Sequence, residues 1–319
     1  MKKFLISTAM VALMLTSAAT SASAATKNIG VSMALFDDNF LTVLRNGMTK
    51  YAETQAGVKL QIEDAQNDVG KQLNQIQNFI ASGVSAIIVN PVDTDATKAM
   101  SDAAAKAGIP LVYVNREPVN VDSLPPKQAF VASNEQDSGT LQTKEICRIL
   151  KSQGKKQANI VVLMGELSNQ AARMRTKDVH DVIATPECNF MKIVQEQTGN
   201  WQRNQGTDLM SNWLSSGVQF DAVIANNDEM AIGAIQALKA AGKDLKKTIV
   251  GGVDATQDAL AAMAAGDLAV TVFQNAAAQG SGAVDAAIKL ADGKKVDTKV
   301  YVPFELVTPA NLDKYRSKN

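Results

Sequence analysis

VIANNDEMAIGAIQALKAAGK, residues 223–243, begins with apolar and small residues, turns polar at Asn226-Asn227-Asp228, and continues as an amphipathic helix. A short apolar run that gives way to helical spacing within a few residues is a β-α unit with a tight link. The polar triplet falls where the strand ends. It is open to three readings: an acid for catalysis, a set of metal ligands, or a cap for the helix.

The same unit recurs in both directions along the chain. NIGVSMAL (28–35), KLQIEDA (59–65), AIIVNP (86–91) and PLVYVN (110–115) read as strands, with helices at 40–55, about 70–81 and about 94–107. The pattern starts again with QAFVAS (128–133), NIVVLMG (159–165), FMKIVQEQ (190–197), AVIANN (222–227), IVGGVD (249–254) and AVTVFQ (269–274). Helices are expected here near 139–151, 171–183 and 205–215, then after 227, a short one after 254, and a last one at 279–291. KVYVPFELVT (299–308) closes the series. Alternating β and α with short links predicts parallel sheets covered by helices on both faces and joined by right-handed crossovers. Two series of similar size predict an α/β fold of two doubly wound lobes.

Composition narrows the function. The 319 residues are 46% apolar and 20% charged, enough for two packed cores. Lysine plus arginine and aspartate plus glutamate both number 32, so no positive field exists to draw nucleic acid or anionic lipid. Lys2 and Lys3, the apolar run from Phe4 to about Leu15 and the small residues ending in Ala22-Ser23-Ala24 form a secretory leader, with cleavage expected after Ala24. No later run is long enough to span a membrane. A soluble, exported protein is expected. In an oxidising compartment Cys147 and Cys188 either pair or sit as two buried thiols, and their spacing does not decide between these.

In doubly wound sheets, ligands collect beyond the carboxyl ends of the strands. Those ends carry Asp37-Asp38-Asn39-Phe40, Asn90 to Asp93, Asn115-Arg116-Glu117, Ser168-Asn169-Gln170 with Arg173 and Arg175, Asn200-Trp201, Asn226-Asn227-Asp228, Asp254 and Gln274-Asn275. No glycine-rich turn matches a phosphate-binding motif. The only histidine, His180, lies mid-helix, and Cys147 has no context that would lower its pKa. No calcium loop or zinc spacing is present, so neither a metal nor a cofactor is expected.

Planar amides, acids, arginines and aromatics together suit a neutral polyol. Each sugar hydroxyl both donates and accepts; Asn and Gln answer both needs, Asp accepts, Arg donates as a fork, and aromatic rings cover C–H faces. Each residue also has a plainer explanation. Asp37, Asp38 and Asp228 are candidate helix caps, Phe40 and Trp201 candidate core, and Arg116 a candidate partner for Glu117. Repetition of the same mixture at eight strand ends favours a ligand cleft.

These motifs resemble a family. VIANNDEMAIGAIQALKAAGK, VGGVDATQDAL and AVTVFQN look like the second lobe of the periplasmic ribose- and galactose-binding proteins, and DDNFLTVLRNGM and VYVNREP like the first-lobe loops. The resemblance spans nearly all of the chain after the leader. It implies a type I solute-binding protein of an ABC importer, with two lobes, a three-strand hinge and a ligand between them. The ligand positions it implies are Asp38, Phe40, Asn115, Arg116, Arg175, Trp201, Asn227, Asp254 and Gln274; Asn169 stands where galactose-type members hold a histidine. By the same resemblance the lobes interleave, 25–132 with 275–303 and 133–274 with 304–319. The galactose-type calcium loop is missing, since KSQGKKQANI is lysine-rich. Arg116 follows the ribose type and Asn115 the galactose type, and the resulting hybrid site points to a hexose or a cyclitol such as myo-inositol.

The expected partners are that ring, an ABC permease and, compatibly with transport, a chemoreceptor; a monomer is expected. The rivals are a sugar-processing enzyme using Asp38 and Asp254, and a sugar-responsive repressor, which the leader and the lack of a DNA-binding helix pair before Asn28 oppose. Within the triplet, Asn227 is expected to reach the ligand and Asp228 to start the helix, with Asn226 unassigned. Replacing Asp254 or Arg175 by alanine is expected to abolish binding and leave the unliganded Tm nearly unchanged.

Overall fold

A computed structural model describes residues 26–318. The expected leader, residues 1–24, lies outside the described residues. Strands β1 (Lys27–Met33), β2 (Val58–Asp64), β3 (Ala86–Val89), β4 (Leu111–Val114) and β5 (Gln128–Ala132) alternate with helices α1 (Asn39–Glu53), α2 (Val69–Ala81) and α3 (Thr97–Ala107). The second series is α4 (Glu135–Ser152), β6 (Ala158–Met164), α5 (Gln170–Ile183), β7 (Met191–Thr198), α6 (Arg203–Ser215), β8 (Ala222–Ala225), α7 (Asp228–Ala240), β9 (Ile249–Gly251), α8 (Gln257–Ala264) and β10 (Thr271–Phe273). Helix α9 (Ala276–Ala291), β11 (Lys299–Tyr301) and β12 (Glu305–Val307) follow.

Six of these strands form one parallel sheet in the order β11-β5-β4-β3-β1-β2, and four form another in the order β7-β6-β8-β9. Parallel bridges Gly251–Val270 and Asp254–Phe273 bring β10 alongside β9, and β12 pairs with β10 antiparallel. The chain therefore passes between the sheets three times: from β5 to α4, from β10 to α9, and from β11 to β12.

Period-2 alternation assigns each strand residue to a face. On the first sheet Val31, Ile88, Val112 and Val131 pack under α1 and α9, while Ile87, Leu111, Tyr113 and Phe130 pack under α2 and α3. On the second, Val161, Leu163 and Val223 meet α6, α7 and α8, and Ile160, Val162 and Ile224 meet α4 and α5. Both faces of each sheet are buried, which explains why β3 and β4 read as continuous apolar runs.

Helix starts differ from the sequence expectation at three places, each for a local reason. Helix α3 begins at Thr97 rather than Thr94, because Asp93 Oδ1 accepts from the Asp95 N–H and holds a turn there. Helix α4 begins at Glu135, where Asn134 caps it, and α9 at Ala276, where Asn275 caps it.

Cys147 on α4 and Cys188 after α5 form a disulfide, which resolves their pairing and closes a separation of 41 residues within one apolar cluster. Reducing it is expected to lower unfolding stability by about 2–4 kcal/mol, read as a fall in the denaturant midpoint with dithiothreitol. Asp178, buried between α4 and α5, accepts from the Thr140 backbone, yet burial pushes its carboxyl up to about 7. The folded state thus holds this proton more tightly than the unfolded chain, so stability falls as pH rises from about 4 to about 7. Asp178→Asn should raise Tm at pH 8 and lose that advantage progressively as pH falls to about 4, measured by thermal unfolding across the range.

Candidate functional site

One cavity between the two sheets is lined by Asp38, Phe40, Asn115, Arg116, Arg175, Trp201, Asn227, Asp254 and Gln274, together with Asn169, Leu41 and Ala171. All nine residues expected at the site from sequence come together here, around a small cavity of about 40 Å³. A wider opening beside it shares Asp38, Arg116 and Trp201.

The first-lobe residues follow the ends of β1 and β4. Asp38 caps α1, accepting the Leu41 N–H through Oδ1 at 2.8 Å, so the cap reading and the cleft position hold together for this residue. Burial raises its carboxyl above the usual range, against the pull of the Leu41 N–H and the Arg116 charge. Phe40 is both cavity wall and part of the core under α1. Arg116 donates through Nη1 to the Pro91 carbonyl at 2.8 Å and does not pair with Glu117. Its side-chain hydrogen bonds among the described residues run through Nη1, and the residue lines the cavity. Burial lowers its pKa, offset by the charges of Glu166 and Asp38. Asn115 sits at φ 68° and is tied at both ends, donating to Gln279 Oε1 at 3.2 Å and accepting from Asn90 Nδ2 at 3.4 Å.

Arg175 is the centre of the other wall. Its Nε and Nη2 grip Glu135 at 2.8 and 3.0 Å, Nη1 donates to the Asn226 carbonyl at 2.7 Å, and Nη2 also reaches Gln274 Oε1 at 3.2 Å. Asp254 Oδ1 lies 3.8 Å from Nη1. Burial alone would lower the Arg175 pKa, but Glu135 and Asp254 turn the net shift upward. Burial drives the Asp254 carboxyl well up, with Arg175 opposing. The guanidinium also faces the Trp201 ring, 5.6 Å from its centroid. Trp201 itself, at φ 66°, lies over Gly165; a Cβ at 165 would come within 2.2 Å of the indole, so only glycine admits this ring position.

The opening triplet divides its labour differently from expectation. Asn227, not Asp228, caps α7, accepting the Met230 N–H at 3.1 Å while donating to the Trp201 carbonyl at 3.0 Å. Asp228 is fully buried and accepts from Thr271 Oγ1 at 2.7 Å and the Thr256 N–H at 2.9 Å, which fixes the turns after β9 and before β10. Gly252 makes room for it, since a Cβ there would sit 2.3 Å from Asp228 Oδ1. Asn226, unassigned by sequence, receives the Gly165 N–H at 3.0 Å and the Thr176 hydroxyl at 3.1 Å.

Sequence reasoning missed Glu135. It follows β5 in SNEQDS, and an acid directly after a strand end was the available signal. His180, by contrast, lies on the exposed side of α5 beside Glu196 at 2.8 Å and is not part of the cavity lining. Asn169 is buried, donates to the Val92 carbonyl at 3.2 Å and lines the cavity.

Residues 29–295 match the periplasmic binding protein domain family. The chain is 66% identical, over all of both chains, to a putative rhizopine-binding protein of Rhizobium meliloti. It is 32% identical to the ribose import binding protein of Bacillus subtilis, over 88% of this chain and 87% of that one. Among solved structures, an ABC transporter solute-binding protein of Bacillus halodurans with bound myo-inositol superposes with a TM-score of 0.86 at 42% identity, covering 94% of this chain and 100% of that one.

The arginine network corrects one expectation: Arg175 carries stability as well as a cavity position. Removing it strands the buried Glu135 charge, so Arg175→Met should cost roughly 3–5 kcal/mol in the unliganded protein. The double variant Glu135→Leu/Arg175→Met should recover much of that loss in denaturant unfolding.

Proposed function

The chain belongs to the periplasmic binding protein family, and from that premise we propose that it is the solute receptor of an ABC importer, closing around one monosaccharide or cyclitol ring. The observation that carries the reading is the chemistry of the cavity between the sheets: two arginines, two carboxylates and four planar amides share its lining with the aromatic rings of Phe40 and Trp201. A ring whose hydroxyls radiate in its plane presents donors and acceptors to the polar wall and C–H faces to the aromatics. Arg116 is the open donor and Asp38 and Asp254 the acceptors, while Arg175 has most of its N–H groups engaged by protein. A cyclitol is the favoured class, supported by the myo-inositol in the similar structure and by the name of the rhizobial relative.

Binding without turnover is part of this reading, in keeping with a family of binding proteins. Asp254 stands against Arg175 and Asp38 caps a helix, so neither carboxyl is left clear to shuttle protons. We further propose export to the periplasm, a monomer in solution, and lobes of residues 25–132 with 275–303 and 133–274 with 304–319, which move about the three crossings. Delivery to a permease follows the family, and a chemoreceptor is a compatible second partner.

Isothermal titration with myo-inositol, the rhizopine of the relative's name, ribose, galactose, glucose and xylose tests the reading. Micromolar or tighter binding of one ring, about −8 kcal/mol, with no product formed, is expected. Asp254→Asn should weaken it about 10- to 100-fold, as loss of a charge-assisted hydrogen bond does, without lowering the unliganded Tm. Absence of binding across the panel, or conversion of the ring, would overturn the proposal.

A further inference from the structure

The loop after β3 and the loop before α5 belong to different sheets, yet they are stitched to each other directly. Buried Thr94 donates its N–H to the Ser168 carbonyl at 3.1 Å and its hydroxyl to the same oxygen at 3.0 Å. The Gln170 N–H returns a bond to Thr94 Oγ1 at 3.1 Å, and outside it Arg173 pairs with Asp95 at 3.1 Å. None of these side chains lines the cavity. This clasp can hold the lobes together without touching a ligand.

Asn169 belongs to both the clasp and the cavity. It is 0% exposed, and its Nδ2 donates across the lobes to the Val92 carbonyl at 3.2 Å. A carbonyl only accepts, so the orientation of the amide is fixed. Its Oδ1 accepts no hydrogen bond among the described residues, although Asn169 lines the cavity. A buried amide oxygen left unpaired bears its whole desolvation cost.

We propose that Asn169 is the positioning residue through which ligand occupancy reaches the clasp. The inference rests on the reading that the cavity takes a polyhydroxylated ring, and it deepens that reading. A ring hydroxyl donating to Oδ1 satisfies the orphan oxygen and polarises the amide, which strengthens the Nδ2 bond to Val92 on the opposite lobe. One planar group then registers ligand on one edge and closure on the other. Thr94, which makes the clasp but meets no ligand, completes the coupling.

The test is a double-mutant cycle on Asn169→Ala and Thr94→Val, read by titration with myo-inositol and with the other rings of the panel. Small-angle scattering with and without ligand gives the compaction on binding. Each single variant is expected to weaken binding about tenfold, and the double variant about tenfold rather than a hundredfold, because both remove one coupled unit. Thr94→Val should weaken every ring by the same factor and leave their ranking intact, and Asn169→Ala should compact less on binding. The exposed Asp95→Ala strikes the clasp without disturbing the core, and it should likewise lower all affinities evenly. Additive losses with native compaction in Asn169→Ala would overturn the inference alone. A native protein that binds no ring would remove the functional reading and this inference with it.

Discussion

The buried ion pair between Arg175 and Glu135 joins pieces of chain that are far apart in sequence at the point where the lobes meet. Glu135 opens α4 just after the first crossing between sheets, and Gln274, also held by Arg175, directly follows β10 at the second. The Asn226 carbonyl ties the same guanidinium to the end of β8. A buried pair of this kind adds little net stability compared with apolar residues of the same size, because desolvation offsets much of the attraction. What it supplies is position. The cavity wall, the start of a helix and two of the three crossings share one rigid fork, so the site and the hinge are not mechanically independent.

The second constraint is that helix caps and polyol ligands ask for the same side chains. In a β-α unit the strand's carboxyl end and the next helix's first turn are neighbours, so an Asp or Asn there caps the helix and faces the cleft. Asp38 takes the Leu41 N–H on one oxygen and also stands in the cavity lining. Asn227 is more fully spent: its oxygen caps α7 and its nitrogen holds the Trp201 backbone, so part of its contribution is to set the aromatic wall.

This overlap explains what was legible in the sequence and what was not. The strands were readable because sheets buried on both faces require unbroken apolar runs, as in AIIV and LVYV. The cavity residues were readable because a doubly wound sheet sends every strand end toward one cleft. Whether Asp228 or Asn227 capped α7 was not readable, since the answer depends on Thr256 and Thr271, 28 and 43 residues away, which claim the Asp228 oxygens. The Cys147–Cys188 bond depended in the same way on how α4 and α5 pack, and Glu135 on a partner 40 residues further on. Side chains that serve a distant partner leave no local spacing to read.

Three of the cavity residues, Asn115, Trp201 and Asp254, stand on backbone at φ 68°, 66° and 123°. Side chains rarely sit comfortably there, and such conformations persist only where the surroundings enforce them. The cavity therefore has two alphabets for change. At Phe40 and Arg116, on ordinary backbone, a library aimed at a new ring meets no such backbone limit, only the packing under α1 and the bond to the Pro91 carbonyl. At 115, 201 and 254 β-branched choices are penalised before any ligand is met, and glycine, which relieves the backbone, surrenders the contact. Retuning this receptor to other solutes should run through the first pair, with the other three acting as the fixed frame against which each new ring is measured.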